Sequence, residues 1–398
     1  MSPPGVRFRL MKLVVQVKLV ADAKTASALG ATLRACNDAA NFVSKVAFEK
    51  GEFSKPGLQK LLYADLRARG LGAQAAIRTI AKVVGAYATL RANIRAGNLG
   101  QPGSARRVKA ESKPVEFRAD AAQPFDDRML SWLMDQRTVS IWTLAGRIKD
   151  IRFVGNQDQL NLLTERRKGE SDLLCRNGEF FLVATVDIDE PEVGLPAGFI
   201  GVDMGVVNVA TRSDGITHGG RGLQRHRKRM RDLRTTLQKK GTKSAKRRAK
   251  QLSGREKRRA TDLNHCLAKS IVVEAERTGH GIAIEDLRGI RDRVRLRKSQ
   301  RTMVHSWAFA QLGEFLAYKA RRHAVMFVAV DPRHTSRECS DCHHMDKRNR
   351  PSQAAFRCGR CGFADHADRN ASRNISARGW WRLVCGVPSM TPELKLLV

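Results

Sequence analysis

Gly198-Phe-Ile-Gly-Val-Asp-Met-Gly205 is a short apolar run that closes on a carboxylate, Asp203, and Gly281-Ile-Ala-Ile-Glu-Asp-Leu287 repeats the pattern with Glu285. Such runs, bounded by glycine and only a few residues long, read as strands buried on both faces of a helix-covered sheet. After the first, Val206-Val-Asn-Val-Ala-Thr211 turns through Ser213-Asp-Gly215 into a third short strand. A single Asp after a strand is most often a turn former or a helix cap. Two acids that each end an apolar strand are less easily dismissed, because strand ends expose carboxylates on the rim of a sheet.

The chain beyond these strands extends the pattern. A basic helical region and a second helix over about 260–278 separate the third strand from the one ending in Glu285. A helix carrying Trp307, Ala308, Leu312, Phe315 and Leu316 leads into Ala324-Val-Met-Phe-Val-Ala-Val-Asp331, the last strand. A final helix starts near His366 and carries Asp368, three residues and one helical face from Asp365, so the third acid is one of these two. Asp286 is aimed away from Glu285 by strand alternation, and Asp331 before Pro332 reads as structural. The order β-β-β-α-β-α-β-α, with acids after the first strand, after the fourth and on the last helix, predicts an α/β, RNase H-like nuclease domain. Its three carboxylates would hold two Mg²⁺ ions, with Mn²⁺ as the alternative, about 3.5–4 Å apart.

The N-terminal half has other periods. Residues 6–20 alternate as a strand with Val6, Phe8 and Leu10 on one side. From Asp22, Leu29, Leu33, Cys36, Ala40, Val43 and Ala47 form one helical stripe that ends near Gly51. A second helix over about 73–95 places Ile77, Ile80, Val84 and Tyr87 on one face, and 97–114 is loop-like. Strand signals then run to about 190, with Asn177-Gly178 marking a hairpin. This predicts a small antiparallel barrel, begun by the first strand and interrupted by a helical lobe, with a boundary at Pro191, Pro196 and Gly198.

Cys36, Cys175, Cys266 and Cys385 are scattered and read as reduced thiols. Cys339, Cys342, Cys358 and Cys361 form two C-x-x-C pairs, the spacing of a structural zinc ribbon that offers four thiolates to one Zn²⁺. Gly359 and Gly362 suit the second knuckle, whereas His343 and His344 stand where the first would usually relax with glycine.

Charge points to a polyanion. The chain of 398 residues carries 73 Lys+Arg against 39 Asp+Glu, a net charge of +34. The first 200 residues hold +9 of it and the remainder +25. The excess peaks in 221–259, where Arg225, Arg227, Lys228, Arg229, Lys246, Arg247 and Arg248 are candidate contacts to nucleic-acid backbone. An apolar face is nearly missing there, which excludes a membrane-surface helix. Lys12 and Lys18 interrupt the most apolar N-terminal run, so neither a membrane span nor a signal peptide is expected.

The motifs Ile200-Gly-Val-Asp203-Met-Gly-Val-Val-Asn-Val-Ala-Thr, Ile284-Glu285-Asp-Leu, Thr335-Ser-Arg-Glu-Cys339-Ser-Asp-Cys342 and Asp365-His-Ala-Asp368-Arg-Asn-Ala-Ser-Arg-Asn374-Ile resemble the split RuvC motifs and zinc ribbon of the TnpB (OrfB) family. These are transposon-encoded, RNA-guided DNA endonucleases related to type V CRISPR effectors. The resemblance covers about 196–378 and selects Asp368 over Asp365 as the third catalytic acid with Asp203 and Glu285, all three as the Mg²⁺ ligands. His343 and Ser372 depart from the family pattern, and neither touches the acids. The resemblance implies a wedge barrel over 1–20 and 111–195, a helical recognition lobe over 21–110 and a RuvC-like domain over 196–331 and 363–380. The zinc ribbon would occupy 332–362, and 381–398 would be a disordered tail. It also implies a guide RNA from the transposon end, double-stranded target DNA cut beside a short motif, and a prokaryotic cytoplasmic location on the nucleoid, as monomer or dimer. A compact CRISPR effector and a non-cleaving RNA-guided binder are the alternatives; the three intact acids argue against the second.

Overall fold

Residues 10–205, 207–287 and 309–385 are described by the structure, a computed structural model, and their contacts separate into two units between Asp189 and Glu190. The first unit begins with strand β1 (Leu10–Val20) and helices α1 (Ala23–Lys50), α2 (Lys55–Ala68), α3 (Ala73–Arg95) and α4 (Ala105–Glu111). Strands β2 (Gln123–Phe125), β3 (Leu130–Leu133), β4 (Thr138–Thr143) and β5 (Gly146–Val154) follow. Helix α5 (Gln157–Arg166), β6 (Arg167–Arg176) and β7 (Glu179–Asp189) complete the unit.

The seven strands form one antiparallel sheet in the order β2-β6-β7-β1-β5-β4-β3. Its two edge strands, β2 and β3, are joined by residues 126–129 alone. So short a link forces the sheet to curl until its edges approach, giving a nearly closed barrel. Asn177 and Gly178 both have positive φ, 55° and 83°, the two-residue turn that matches the twist of the β6–β7 hairpin. In β1 the odd positions Met11, Val15, Val17 and Leu19 face the core, while Leu10 is exposed; Val6 and Phe8 lie outside the described residues.

Helix α1 buries Leu29, Leu33, Cys36, Ala40, Val43 and Ala47, and Gly51 closes it in the left-handed conformation. On α3 the buried face is Ala76, Ile80, Val83 and Tyr87, with Ile77 and Val84 only half-buried. Helix α2 has no counterpart among the expected elements, and Pro56 and Gly57 stand near its start. Here the proline sits in the first turn, where its missing N–H costs nothing, and Ser54 caps the Gly57 amide at 3.1 Å. The 97–114 segment likewise contains α4, which buries no side chain. Along α1 the spacing of Asn37, Asn41 and Ser44 puts polar groups on one face. They bind the carbonyls of Ala121 at 2.9 Å, Phe117 at 3.0 Å and Val115 at 2.7 Å, fixing an extended segment that has no strand partner.

The second unit carries β8 (Phe199–Asp203), β9 (Asn208–Arg212) and β10 (Thr217–Gly219), then α6 (Arg221–Lys240), α7 (Lys243–Thr278) and β11 (Gly281–Glu285). Helix α8 (Phe309–Arg322), β12 (Phe327–Val330), β13 (Ala355–Arg357), β14 (Ala364–His366) and α9 (Ala367–Val384) complete it. The central sheet runs β10-β9-β8-β11-β12; the first three strands are antiparallel, whereas β8, β11 and β12 are parallel. Helices α7 and α8 bury Ile271, Val272, Leu312 and Leu316 in one core cluster with Ile200, Val202, Ile282 and Ile284. Ile375 of α9 packs in another, with Phe199, Ala283 and Val328. Trp307 and Ala308, expected on α8, lie outside the described residues. Helix α9 continues through Trp381 to Val384, so the segment expected to be a disordered tail from 381 begins as helix.

The approach of α9 to the sheet depends on Gly201. A Cβ there would lie 2.0 Å from the Ser372 carbonyl oxygen and 2.5 Å from the Ser376 amide nitrogen. No side-chain adjustment relieves a clash with backbone, so Gly201→Ala is expected to destabilise the second unit by about 3 kcal/mol. Gly194→Ala, which meets open space, should change little. Urea unfolding of both variants checks the difference.

Candidate functional site

The β8–β11 register pairs Val202 with Ile284, so the next residues, Asp203 and Glu285, end adjacent parallel strands. Asp368 enters from the first turn of α9, where the His366 ring caps its amide at 3.2 Å. Asn208 of β9 donates to Asp368 Oδ2 at 2.8 Å, and the Arg350 guanidinium lies 3.7 Å from Oδ1. Thr335 Oγ1 donates to Glu285 Oε1 at 2.5 Å. Three strand and helix ends therefore converge, each acid from a separate element.

Electrostatics marks this cluster, although burial and Glu170 raise Asp172 in the first unit as well. Burial pushes Asp203 well above its ordinary 3.8, the charges of Glu285 and Asp368 push it further, and Arg350 opposes them. Burial also raises Glu285, against the Thr335 hydrogen bond and the charges of Arg378 and Arg350. A buried carboxylate raised by two neighbouring acids has too little positive charge around it, a deficit that divalent cations correct. The acids thus have the charge that a divalent cation would neutralise. Asp365 is committed elsewhere, paired with Arg373 at 3.3 Å. Asp286 and Asp331 line a separate crevice of about 360 Å³ with Pro332, Arg333 and Arg382. Arg350 was not singled out by sequence. It belongs to a basic run, Lys347-Arg-Asn-Arg350, and only folding brings it to the acids.

Cys339, Cys342, Cys358 and Cys361 form the one such group found among the described residues, with all four Sγ atoms within 4.8 Å of one another. Cys339–Cys361 and Cys342–Cys358 are separated by 3.7 and 3.6 Å. Tetrahedral ligation with Zn–S near ~2.3 Å requires edges of roughly 3.8 Å, so the thiols fit zinc. The two knuckles are equivalent in backbone. The His343 amide donates to the Cys339 carbonyl, as Gly362 does to Cys358, and both residues have positive φ, 58° and 77°. His343 thus occupies the glycine position at a cost of about 1 kcal/mol, with its ring 3.1 Å from the Glu338 carboxylate.

The basic segment forms a helical hairpin. Gly241 at φ 64° breaks it, Thr242 caps α7, and Arg234 pairs with Glu256 across the two helices at 3.0 Å. Arg225, Lys228, Arg229, Lys246, Arg247 and Arg248 are exposed, whereas Arg227 is half-buried and its guanidinium pKa is lowered by burial against the pull of Glu256.

Residues 183–289 match the OrfB family of IS605 type, described as "Probable transposase", and residues 309–375 match the Cas12f1-like TNB domain. The CRISPR-associated endodeoxyribonuclease Cas12f1 of Sulfoacidibacillus thermotolerans is 37% identical over 114 residues, 28% of this chain and 26% of the relative. The candidate RNA-guided DNA endonuclease InsQ of Escherichia coli K12 is 30% identical over 226 residues, 50% of this chain and 54% of the relative. The chain thus spans between 26% and 54% of the length of these two curated relatives. A solved structure of the mini-RNA-guided endonuclease CRISPR-Cas phi3 aligns with a TM-score of 0.51 and 10% identity over 92% of each chain, a likeness of fold. In these matched segments the sequence is similar to the TnpB (OrfB) family and to the related type V effectors. No helix among the described residues is long and apolar enough to cross a membrane.

Two outcomes are expected of this site. Raised folded-state values for Asp203 and Glu285 mean that the folded protein holds these protons more tightly than the unfolded chain. Metal-free stability should therefore fall as pH rises above about 4, where unfolded carboxyls ionise. Asp203→Asn should flatten that decline and raise the metal-free melting temperature at pH 7, read by calorimetry across pH. Native mass spectrometry should find one zinc per chain, and Cys358→Ser should lose it; a metal-free parent with an intact ribbon would refute the zinc assignment.

Proposed function

We propose that this TnpB-related chain is a transposon-encoded, RNA-guided DNA endonuclease that cuts double-stranded DNA beside a short adjacent motif. The observation that carries the reading is the convergence of Asp203, Glu285 and Asp368 from β8, β11 and α9, where the charges of Glu285 and Asp368 add to burial in raising Asp203. A sheet in the order β10-β9-β8-β11-β12, with an antiparallel hairpin beside three parallel strands, supports a RuvC-type, RNase H-like domain over 196–331 and 363–380. The ribbon is assigned to 332–362. The wedge is assigned to 1–20 and 111–195, which include the barrel strands Leu10–Val20 and those from Gln123 to Asp189, and the recognition lobe to 21–110 with its helices.

In this mechanism Asp203, Glu285 and Asp368 would hold two Mg²⁺ ions. When bound, the ions supply water activation and charge neutralisation at the scissile phosphate. Asn208 holds Asp368 in place, and Thr335 holds Glu285. Arg350 brings a fixed positive charge to a centre that must admit an anionic backbone. The exposed cations of α6 and α7 (Arg225, Lys228, Arg229, Lys246, Arg247 and Arg248) would bind guide-RNA phosphates, and guide pairing would supply sequence specificity.

A second reading, a compact type V CRISPR effector, is favoured by the Cas12f1-like match over 309–375. The RNA that co-purifies separates the two, a transposon-end transcript against a repeat-derived one. The decisive assay is plasmid cleavage by the purified protein–RNA complex with Mg²⁺. Glu285→Gln and Asp203→Asn should each slow cutting by roughly 10³-fold while RNA binding persists. Cleavage by Glu285→Gln at the parental rate would overturn the catalytic assignment.

A further inference from the structure

The ribbon is tied to the acids through one hydroxyl. Thr335 precedes the first zinc cysteine by four residues, is 2% exposed, and donates to Glu285 Oε1 at 2.5 Å. Its backbone is fixed from the opposite side. Asn374 of α9, also 2% exposed, donates to the Thr335 carbonyl at 2.8 Å and to the Glu338 carbonyl at 2.7 Å. Asn370, one turn earlier, donates to the same Glu338 carbonyl at 2.7 Å and accepts from the Ser340 amide at 2.9 Å. One turn later Arg378 binds the carbonyls of Asp331 and Arg333 at 2.8 and 2.7 Å and the Glu338 carboxylate at 2.6 Å. A single face of the helix that carries Asp368 therefore grips 331–340, the segment that ends in the zinc knuckle.

We propose that Thr335 is the positioning residue through which the zinc ribbon orients the carboxylate of Glu285. The hydroxyl has one proton, and Glu285 Oε1 receives it at the shorter distance, with the Pro332 carbonyl at 3.2 Å as the weaker acceptor. That bond fixes which Glu285 oxygen remains available to a cation. Cys339, as a ligand of the zinc the ribbon would carry, would hold the far end of the segment while α9 holds its middle, so the Thr335 hydroxyl would keep its place relative to Asp368 as well. Loading of the ribbon and the geometry of the acids become one event. The inference rests on the nuclease reading of the acids.

Valine has the shape of threonine without the hydroxyl, which makes Thr335→Val the direct test, with Thr335→Ser as the variant that restores the donor. In full-length, zinc-loaded protein, Thr335→Val should lower the cleavage rate 10–100-fold and weaken Mn²⁺ binding, measured by electron paramagnetic resonance, in the same range. Zinc content should stay at the parental value, and Thr335→Ser should recover most of both losses. Zinc withdrawal should weaken Mn²⁺ binding in the parent but add little in Thr335→Val. The proposal is overturned if Thr335→Val matches the parent in rate and Mn²⁺ affinity, if serine and valine lose equally, or if the effects of zinc withdrawal and valine multiply. Failure of the nuclease reading is separate: it appears as Glu285→Gln cutting at the parental rate, whatever Thr335 does.

Discussion

Helix α9 lies so close to β8 that only a hydrogen atom fits between them at Gly201, and the candidate site depends on that contact. The Ser376 hydroxyl reaches the Phe199 carbonyl at 2.5 Å, and a Cβ at Gly379 would meet the Ala283 Cβ at 2.7 Å and the Phe199 ring at 3.0 Å. Small residues on both elements let backbone meet backbone, which sets the height of the helix over the sheet to within a fraction of an ångström. Asp368 is carried at the end of that helix and Asp203 at the end of that strand. The separation of two acids from distant parts of the chain is thus decided by a packing contact that contains neither.

The opposite face of α9 has a different task. Packing against a sheet is nondirectional, but Asn370, Asn374 and Arg378 read out backbone carbonyls one turn apart and fix the register of the ribbon stem against the helix. Apolar contacts supply adhesion and buried amides supply registration, which is why the Asn side chains are buried and hydrogen-bonded rather than exposed. The net charge fits the same arrangement. A chain of +34 encloses a centre in which carboxylates repel one another, and cations from the ribbon and α9, Arg350 and Arg378, temper that repulsion.

Periodicity made the strands, the α1 stripe and the cysteine pairs legible, because each follows from local spacing. Asp203 and Glu285 could be read as strand-end acids for the same reason. What escaped was decided by partners far along the chain. Arg350 is one arginine in a basic run until α9 brings Asp368 beside it. Asn37, Asn41 and Ser44 look like ordinary helix polars until residues 115–121 lie across them. Helix α2 carries Pro56 and Gly57 near its start, residues that signal a loop in the middle of a helix but are tolerated in its first turn. The choice of Asp368 over Asp365 came from the family motif; the structure gives a physical companion to it, since Asp365 is held by Arg373.

The barrel sheet also sets an order of events during synthesis. Strand β1 leaves the ribosome before the rest of the sheet, yet it pairs with β7, Leu10 opposite Asp189, and with the end of β5. At roughly 5–20 residues per second its partners appear on the order of ten seconds later. Helices α1 to α3, which pack on one another, can form in that interval, whereas β1 still lacks its strand partners and carries apolar residues on both faces. The nascent chain therefore exposes an adhesive edge until most of the first unit has emerged. Lys12 and Lys18, which first read as interruptions of an apolar run, place on that strand charges of the kind that disfavour pairing with another chain.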